Sequence, residues 1–246
     1  MKCKLFCLPY AGGSATVYTR WKRYLHDHIE LHPVELAGRG KRMLEPPYDS
    51  MDELVEDLYD GYLDTHLDEA DFAFFGHSMG ALIAYELAHA VKKKRGREPV
   101  HLFVSGTYPP HTRRILPLHL LSDAKLQQEI KLLGGTEDEV FEREDLLRLF
   151  LPGLRRDLEL VETHRFESRT ERIHCDISVL NGKEDRATEG FNLMEWSAYG
   201  SRGCHLYEFE GGHFFLNEHT EQVVALVNDM LSSPVEREQM STKKES

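Results

Sequence analysis

A short apolar run, Phe72-Ala73-Phe74-Phe75, leads into Gly76-His77-Ser78-Met79-Gly80 and then into Ala81-Leu82-Ile83-Ala84. The residues after the turn keep a helical spacing, so a buried strand ends in a tight turn and a helix begins at once. Gly76 and Gly80 leave room for that turn, where side chains would collide with the neighbouring strand and helix. The turn holds the Ser78 hydroxyl at the top of a sheet, with the positive end of the new helix aimed at it. A bare Gly-x-Ser-x-Gly matches many unrelated loops. With a strand before it and a helix after it, the pattern reads as a nucleophile elbow.

The rest of the chain supplies the sheet. Strand-like runs fall at 4–8, 31–36, 71–75, 100–105, 177–181 and 205–209, and helical patterns at 17–26, 51–66, 79–94 and 218–231. This alternation predicts an α/β fold with a mostly parallel central sheet and helices on both faces. The length of 246 residues suits one large domain of this kind. The basic run 92–95 followed by Gly96 suits a helix C-terminus, where cations meet the negative end of the dipole and glycine closes the helix.

From about 108 to 172 the alternation stops. Helices are expected at 120–133, 137–150 and 154–164, punctuated by Gly134-Gly135 and Pro152-Gly153. An all-helical insertion after a sheet strand would lie over the edge where Ser78 sits, so residues 1–232 are expected to form one domain with a lid. The polar, charged stretch 233–246 is expected to be a disordered tail.

A net charge of −12 argues against a nucleic-acid binder, which needs a basic footprint. The N-terminus has no signal-peptide core, and no apolar stretch reaches the ~18 residues that span a bilayer. A cytoplasmic protein with no membrane partner, and a monomer, is expected. The four cysteines, Cys3, Cys7, Cys175 and Cys204, show no C-x-x-C pairing and read as buried free thiols.

A serine hydroxyl is a poor nucleophile without a histidine to take its proton and an acid to hold that histidine's tautomer. On this topology the partners follow the serine in the order acid, then histidine, each in a loop after a strand. Among 14 histidines, His213 fits best, since it follows the last strand across Gly211-Gly212. His174, His205 and His219 lie in strands or at a helix start, and His77 is expected to pack against the lid or a nearby loop. For the acid, strand 177–181 ends in Gly182-Lys183-Glu184-Asp185-Arg186, and Asp185 is chosen with Glu184 as competitor. A salt bridge to Lys183 or Arg186 would also account for either carboxylate. Asp176 precedes the strand and belongs at the wrong edge of the sheet. An oxyanion needs two backbone donors. Met79 supplies one N–H at the helix start, and the loop Pro9-Tyr10-Ala11-Gly12-Gly13-Ser14 supplies the second, from Ala11 or else Tyr10. A plain turn is the competing reading of that loop.

These segments together resemble a known family. Residues 7–14 (Cys-Leu-Pro-Tyr-Ala-Gly-Gly-Ser), 38–47 (Gly-Arg-Gly-Lys-Arg-Met-Leu-Glu-Pro-Pro), the Ser78 turn, Leu132-Leu133-Gly134-Gly135, the Asp185 loop and Gly211-Gly212-His213-Phe214-Phe215-Leu216 are similar, in order, to segments of the type II thioesterases that accompany nonribosomal peptide and polyketide synthases. Two departures are Ala37, where that family usually has proline, and Glu184, where an aspartate is common. The resemblance implies an α/β-hydrolase fold, a helical lid, and a channel for a phosphopantetheine arm. It implies hydrolysis of acyl or aminoacyl thioesters on carrier proteins by Ser78, His213 and Asp185, with no metal or redox cofactor, in an editing role. Arg39 and Arg42 are further candidates for docking an acidic carrier protein or the pantetheine phosphate, a solvated loop being the alternative. A general carboxylesterase, release of one specific product, and a non-catalytic carrier-binding protein are the competing readings.

Overall fold

A computed structural model describes residues 2–112, 117–136, 138–166 and 171–232, so the expected tail at 233–246 lies outside the described residues. The strands are β1 Cys3–Leu8, β2 Ile29–Pro33, β3 Phe72–His77, β4 His101–Ser105, β5 Asp176–Gly182 and β6 Cys204–Phe209. They form one six-stranded sheet in the order β2-β1-β3-β4-β5-β6, with every neighbouring pair parallel. Alternate side chains feed two cores. Phe6, Leu8, Phe72, Phe74, Leu102 and Val104 face one layer, while Leu5, Cys7, Ala73, Phe75 and Phe103 face the other. Near-continuous apolar runs in these strands are the result of burial on both faces.

The helices that flank the sheet include α1 Met51–Leu58 and α2 Asp64–His66, joined through a π turn at Tyr59–Leu63, and α3 Met79–Arg95. Gly96, at φ +65°, closes α3 by donating to the Lys92 carbonyl at 2.9 Å, as the basic run before it suggests. Between β4 and β5 come a 3-10 turn at Leu118–Leu120, α4 Asp123–Leu133, α5 Asp138–Glu142 and α6 Glu144–Thr163. Every described regular element in this interval is helical. It carries a small core of its own from Leu118, Leu126, Ile130, Phe141, Leu151 and Leu154. The chain ends its described part with α7 Phe215–Glu218 and α8 Thr220–Leu231.

Four expectations need correction. The second strand spans Ile29–Pro33 rather than 31–36: its register with β1 pairs Cys3 with Ile29 and Cys7 with Pro33, and the bond from Val34 N–H to the Cys7 carbonyl at 2.9 Å closes the ladder. Val34 and Leu36 are buried beyond the paired residues, which is why their apolar run mimics a longer strand. The pattern at 17–26 is a 3-10 stretch, Ala15–Arg23, whose buried Tyr18 and Trp21 are spaced by three and pack edge to face at 5.1 Å. The last helical pattern starts earlier than 218 and is interrupted at His219. Finally, Pro152-Gly153 does not divide two helices. Pro152 lies inside the 20-residue α6, where one continuous face buries Leu151, Leu154, Asp157 and Leu160. Burial of three leucines, each worth about 1.5–3 kcal/mol, outweighs the roughly 3 kcal/mol penalty of an internal proline. The break falls instead at Arg143, the residue before α6, whose side chain pairs with Asp145 and Glu139.

Candidate active site

β1 is flanked by β2 on one side and β3 on the other, so the chain leaves the sheet in opposite directions around the carboxyl ends of β1 and β3. Crevices of parallel sheets open at such a switch point. Register then sets which loops meet there. Leu8 pairs with Gly76, His77 with Ser105, and Gly182 with Phe209. The loop after β1, the Ser78 turn, the Asp185 loop and the His213 loop thus emerge side by side.

Ser78 has φ 54° and ψ −118°, and is the one non-glycine residue with positive φ among the described residues. Its N–H donates to the Ser105 carbonyl at 2.7 Å, which ties the turn to β4. Both flanking glycines are steric requirements. A Cβ on Gly76 would lie 2.0 Å from the Gly80 carbonyl oxygen, and one on Gly80 would lie 2.1 Å from that of Leu8. Met79 opens α3, so its N–H has no intrahelical acceptor and points out of the helix start.

The acid and histidine loops are knit together by backbone. Lys183 N–H donates to Phe209 at 2.9 Å and Glu184 N–H to Gly211 at 3.0 Å, while a Cβ on Gly182 would meet the Gly212 carbonyl oxygen at 2.3 Å. In this frame His213 Nδ1–H donates to Asp185 Oδ2 at 2.8 Å, with both residues buried. Asp185 Oδ1 accepts the Ala187 N–H at 2.8 Å, so the carboxylate is fixed at both oxygens. Glu184 points to solvent, and Asp176 sits at the opposite edge, accepting the Gly203 N–H at 2.7 Å. Ser78 and His213 line the same cavity. No hydrogen bond joins them among the described residues, a contact that acyl-transfer sites often hold loosely before substrate arrives.

His77 packs as an internal support. Fully buried, it shares a 2.9 Å hydrogen bond with the Ser105 hydroxyl, and its ring lies 4.9 Å from that of His213. Burial, then the nearby His213, push its pKa well below the usual histidine value, so it is neutral. The cysteines are free. Cys7 and Cys175 are buried and Cys3 and Cys204 half-buried, with burial raising the thiol pKa of Cys3 and Cys175 to about 12. No group of three or more His, Cys, Asp or Glu able to hold a metal occurs among the described residues, and no described helix is long and apolar enough to cross a membrane.

Two chambers of about 300 Å³ each meet over this floor, and Ala11, Ser78, Leu133, Leu158 and His213 line both. One, under α4 and α6, is walled by Ile130, Val140, Phe150, Leu154 and Phe214. The other is also mostly apolar, with Leu82, Leu118 and Val161 in its wall, and it adds the polar groups of Thr107, Glu162 and His164.

The structure revises the role of the two arginines. Arg39 is not a free docking cation. It forms a bidentate pair with Asp157 of α6, at 2.8 and 2.6 Å, and also donates to the Gly13 carbonyl at 2.9 Å. Arg42 is held by Asp57, Glu45 and the Tyr48 hydroxyl. Asp157 is the site-proximal residue that the sequence reading missed. Its trace was an acid on the buried stripe of α6, between Leu154 and Leu160.

A serine on a strained strand-to-helix turn, followed in chain order by an aspartate and the histidine bonded to it, on a wholly parallel sheet, defines the α/β-hydrolase class. Within that class the chain belongs to the Thioesterase domain family, whose profile matches residues 3–231. It is 35% identical over 237 residues to "Linear gramicidin dehydrogenase LgrE" of Brevibacillus parabrevis, covering 93% of this chain and 88% of that one. The crystal structure of ClbQ from the colibactin NRPS/PKS pathway superposes with a TM-score of 0.89 at 36% identity, covering 94% and 97%. The type II thioesterase BorB from the borrelidin biosynthetic cluster superposes at 0.84 with 34% identity, covering 94% of each chain. The resemblance to assembly-line type II thioesterases thus extends over nearly the whole chain, and the protein is a hydrolase of thioesters.

Proposed function

We propose that this thioesterase removes acyl and aminoacyl groups from the phosphopantetheine arms of carrier-protein domains, clearing stalled or misprimed assembly lines. The observation that carries the reading is the shared floor of the two chambers. A carrier-bound thioester has two long arms that diverge from one reacting carbonyl, and two chambers diverge here from Ser78 and His213. The chamber under α4 and α6 suits the acyl chain, and the other, whose apolar wall also carries Thr107, Glu162 and His164, suits the amide-bearing pantetheine arm.

In this reading His213 Nε2 takes the Ser78 proton as Oγ attacks the carbonyl, while Asp185 holds Nδ1–H and favours the imidazolium. The Met79 and Ala11 N–H groups stabilise the oxyanion. The pantetheine thiolate leaves with the proton from His213. Water, deprotonated by the same ring, then attacks the acyl-enzyme and releases the acid. The chain's own side chains and backbone supply every step, so no cofactor is required.

A general carboxylesterase would share the triad, and a more selective enzyme would release one intermediate only. The dehydrogenase in one relative's name finds no support in this chain's loop after β1. That loop reads Pro9-Tyr10-Ala11-Gly12-Gly13-Ser14, with no Gly-x-Gly-x-x-Gly and no long helix behind it. The deciding experiment compares acyl-carrier-protein thioesters with p-nitrophenyl esters of equal chain length. Faster turnover of the carrier thioester, abolished by Ser78→Ala, is expected. Preference for the oxygen ester with no gain from the carrier would overturn the proposal.

A further inference from the structure

The turn after β1 is pinned at three of its four backbone positions, and two of the pins come from outside it. Gly13 N–H donates to the Tyr10 carbonyl at 2.9 Å, closing the turn. All peptides are trans among the described residues, and in a trans peptide the N–H points opposite the C=O. With the Tyr10 carbonyl turned inward, the N–H of Ala11 points out of the turn, and Ala11 lines both chambers. The outside pins are the ion pair. Asp157 Oδ2 accepts the Gly12 N–H at 2.7 Å, and Arg39 donates to the Gly13 carbonyl at 2.9 Å while holding both Asp157 oxygens. Asp157 is 3% exposed, so the carboxylate end of this contact between the lid helix and the loop is shielded, while Gly12 itself stays exposed. The contact is also tight, because a Cβ on Gly12 would lie 3.0 Å from the Phe150 ring and 3.3 Å from Leu154.

We infer that Asp157 and Arg39 are positioning residues that set the oxyanion donor from the lid. The inference rests on the proposed acyl-enzyme chemistry and deepens it. Leu154 and Leu158, which flank Asp157 on α6, line the chambers that the substrate would fill. The helix turn that contacts the substrate therefore carries the carboxylate that fixes Gly12, one peptide beyond the donor. When α6 is seated, the Ala11 N–H is aimed. When α6 lifts, the turn loses the Asp157 pin and Arg39 loses the carboxylate that holds it against Gly13, so the donor loses its aim.

The test uses Arg39→Ala, Asp157→Ala and the double variant. Asp157→Asn joins them as a variant that keeps the shape and one acceptor for Gly12 but loses the charge pairing. Intact sites are counted by stoichiometric fluorophosphonate labelling of Ser78, and kcat is expressed per labelled site. Removing an oxyanion donor outright lowers kcat about 10²–10³-fold, so a misaimed one is expected to lower it about 10- to 100-fold. The KM for a short acyl-pantetheine thioester should move less than threefold. The affinity of a trifluoromethyl ketone analogue, which needs the oxyanion hole, should fall in parallel with kcat, while that of an unreactive thioether should not. The double variant should be no worse than the worse single one. An unchanged kcat per labelled site, or a loss only in the number of labelled sites, would overturn the inference and leave the pair as a structural clamp. Failure of the underlying reading looks different: the wild-type protein itself would show no thioester turnover that depends on Ser78.

Discussion

Ser78 should be a residue whose removal strengthens the fold, but only if glycine replaces it. Its φ of 54° is a conformation that L side chains avoid, and holding it costs on the order of 1–2 kcal/mol. Alanine has the same Cβ and inherits that strain. Glycine does not, although its freer unfolded chain returns about 0.5–1 kcal/mol of the gain. Ser78→Gly is therefore expected to exceed Ser78→Ala in stability by about 1 kcal/mol, which for a domain of this size is about 2–4 °C in Tm. Both variants should lack turnover, so activity cannot separate them. Thermal and urea unfolding of the two, followed by circular dichroism, measures the difference directly. The Ser78 N–H to Ser105 carbonyl bond survives in each, which isolates the backbone strain. If Ser78→Ala proved as stable as Ser78→Gly, the turn would not be strained, and the argument that the fold spends stability to expose the hydroxyl would fail.

Further outcomes follow from the same geometry. Asp185→Asn should lower kcat by about 10⁴-fold, the scale of converting a triad acid to an amide. Glu184→Gln, exposed and away from His213, should change it less than twofold, and equal small losses in steady-state assays would reassign the acid. Gly80→Ala forces a Cβ to 2.1 Å from the Leu8 carbonyl oxygen, so β1 and α3 must part. A loss of about 3 kcal/mol, the upper end of the usual range for overpacking, is expected from urea midpoints. Burial lowers the pKa of His101 to about 4, while in the unfolded chain it titrates near 6.5. Because the unfolded state takes up the proton first, this contribution is full above about pH 6.5. It is lost as pH falls toward 4, at up to about 1.4 kcal/mol per pH unit. His101→Gln, able to keep the hydrogen bond to Ser178, should flatten that slope, and parallel urea-midpoint curves between pH 4 and 7 would contradict it.

What the sequence made legible was local. The Ser78 turn is readable because its two glycines and its change of period lie within about ten residues, and the steric contacts of Gly76 and Gly80 explain both. His213 is readable because two glycines must follow a strand for its loop to cross the sheet. Asp185 and Glu184 are adjacent and chemically alike, so only the fold separates them, by burying one against His213 and leaving the other in water. β2 was misplaced because burial of Val34 and Leu36 looks the same in sequence whether or not a ladder continues. The division of the lid at Pro152 failed for a related reason: tertiary burial along α6 overrode a local breaker. Arg39 and Asp157 lie 118 residues apart, and no local pattern pairs them. The isolated acid on an apolar stripe announced a partner without naming it.

The helical interval has its own small apolar cluster, and that bears on how such enzymes diverge. Leu118, Leu126, Ile130, Phe141, Leu151 and Leu154 pack mainly on one another, so their replacement leaves the sheet's two cores untouched. About 70 residues separate β4 from β5, and closure entropy grows only with the logarithm of that length. Lengthening the interval by ten residues would cost about 0.1 kcal/mol in closure. The segment can therefore be resized at little cost, giving new chambers over an unchanged floor so long as Asp157 keeps its bond to Gly12 and Leu160 its place in the sheet's core. A chimera whose foreign segment retains counterparts of Asp157 and Leu160 should fold, and its selectivity should travel with the graft.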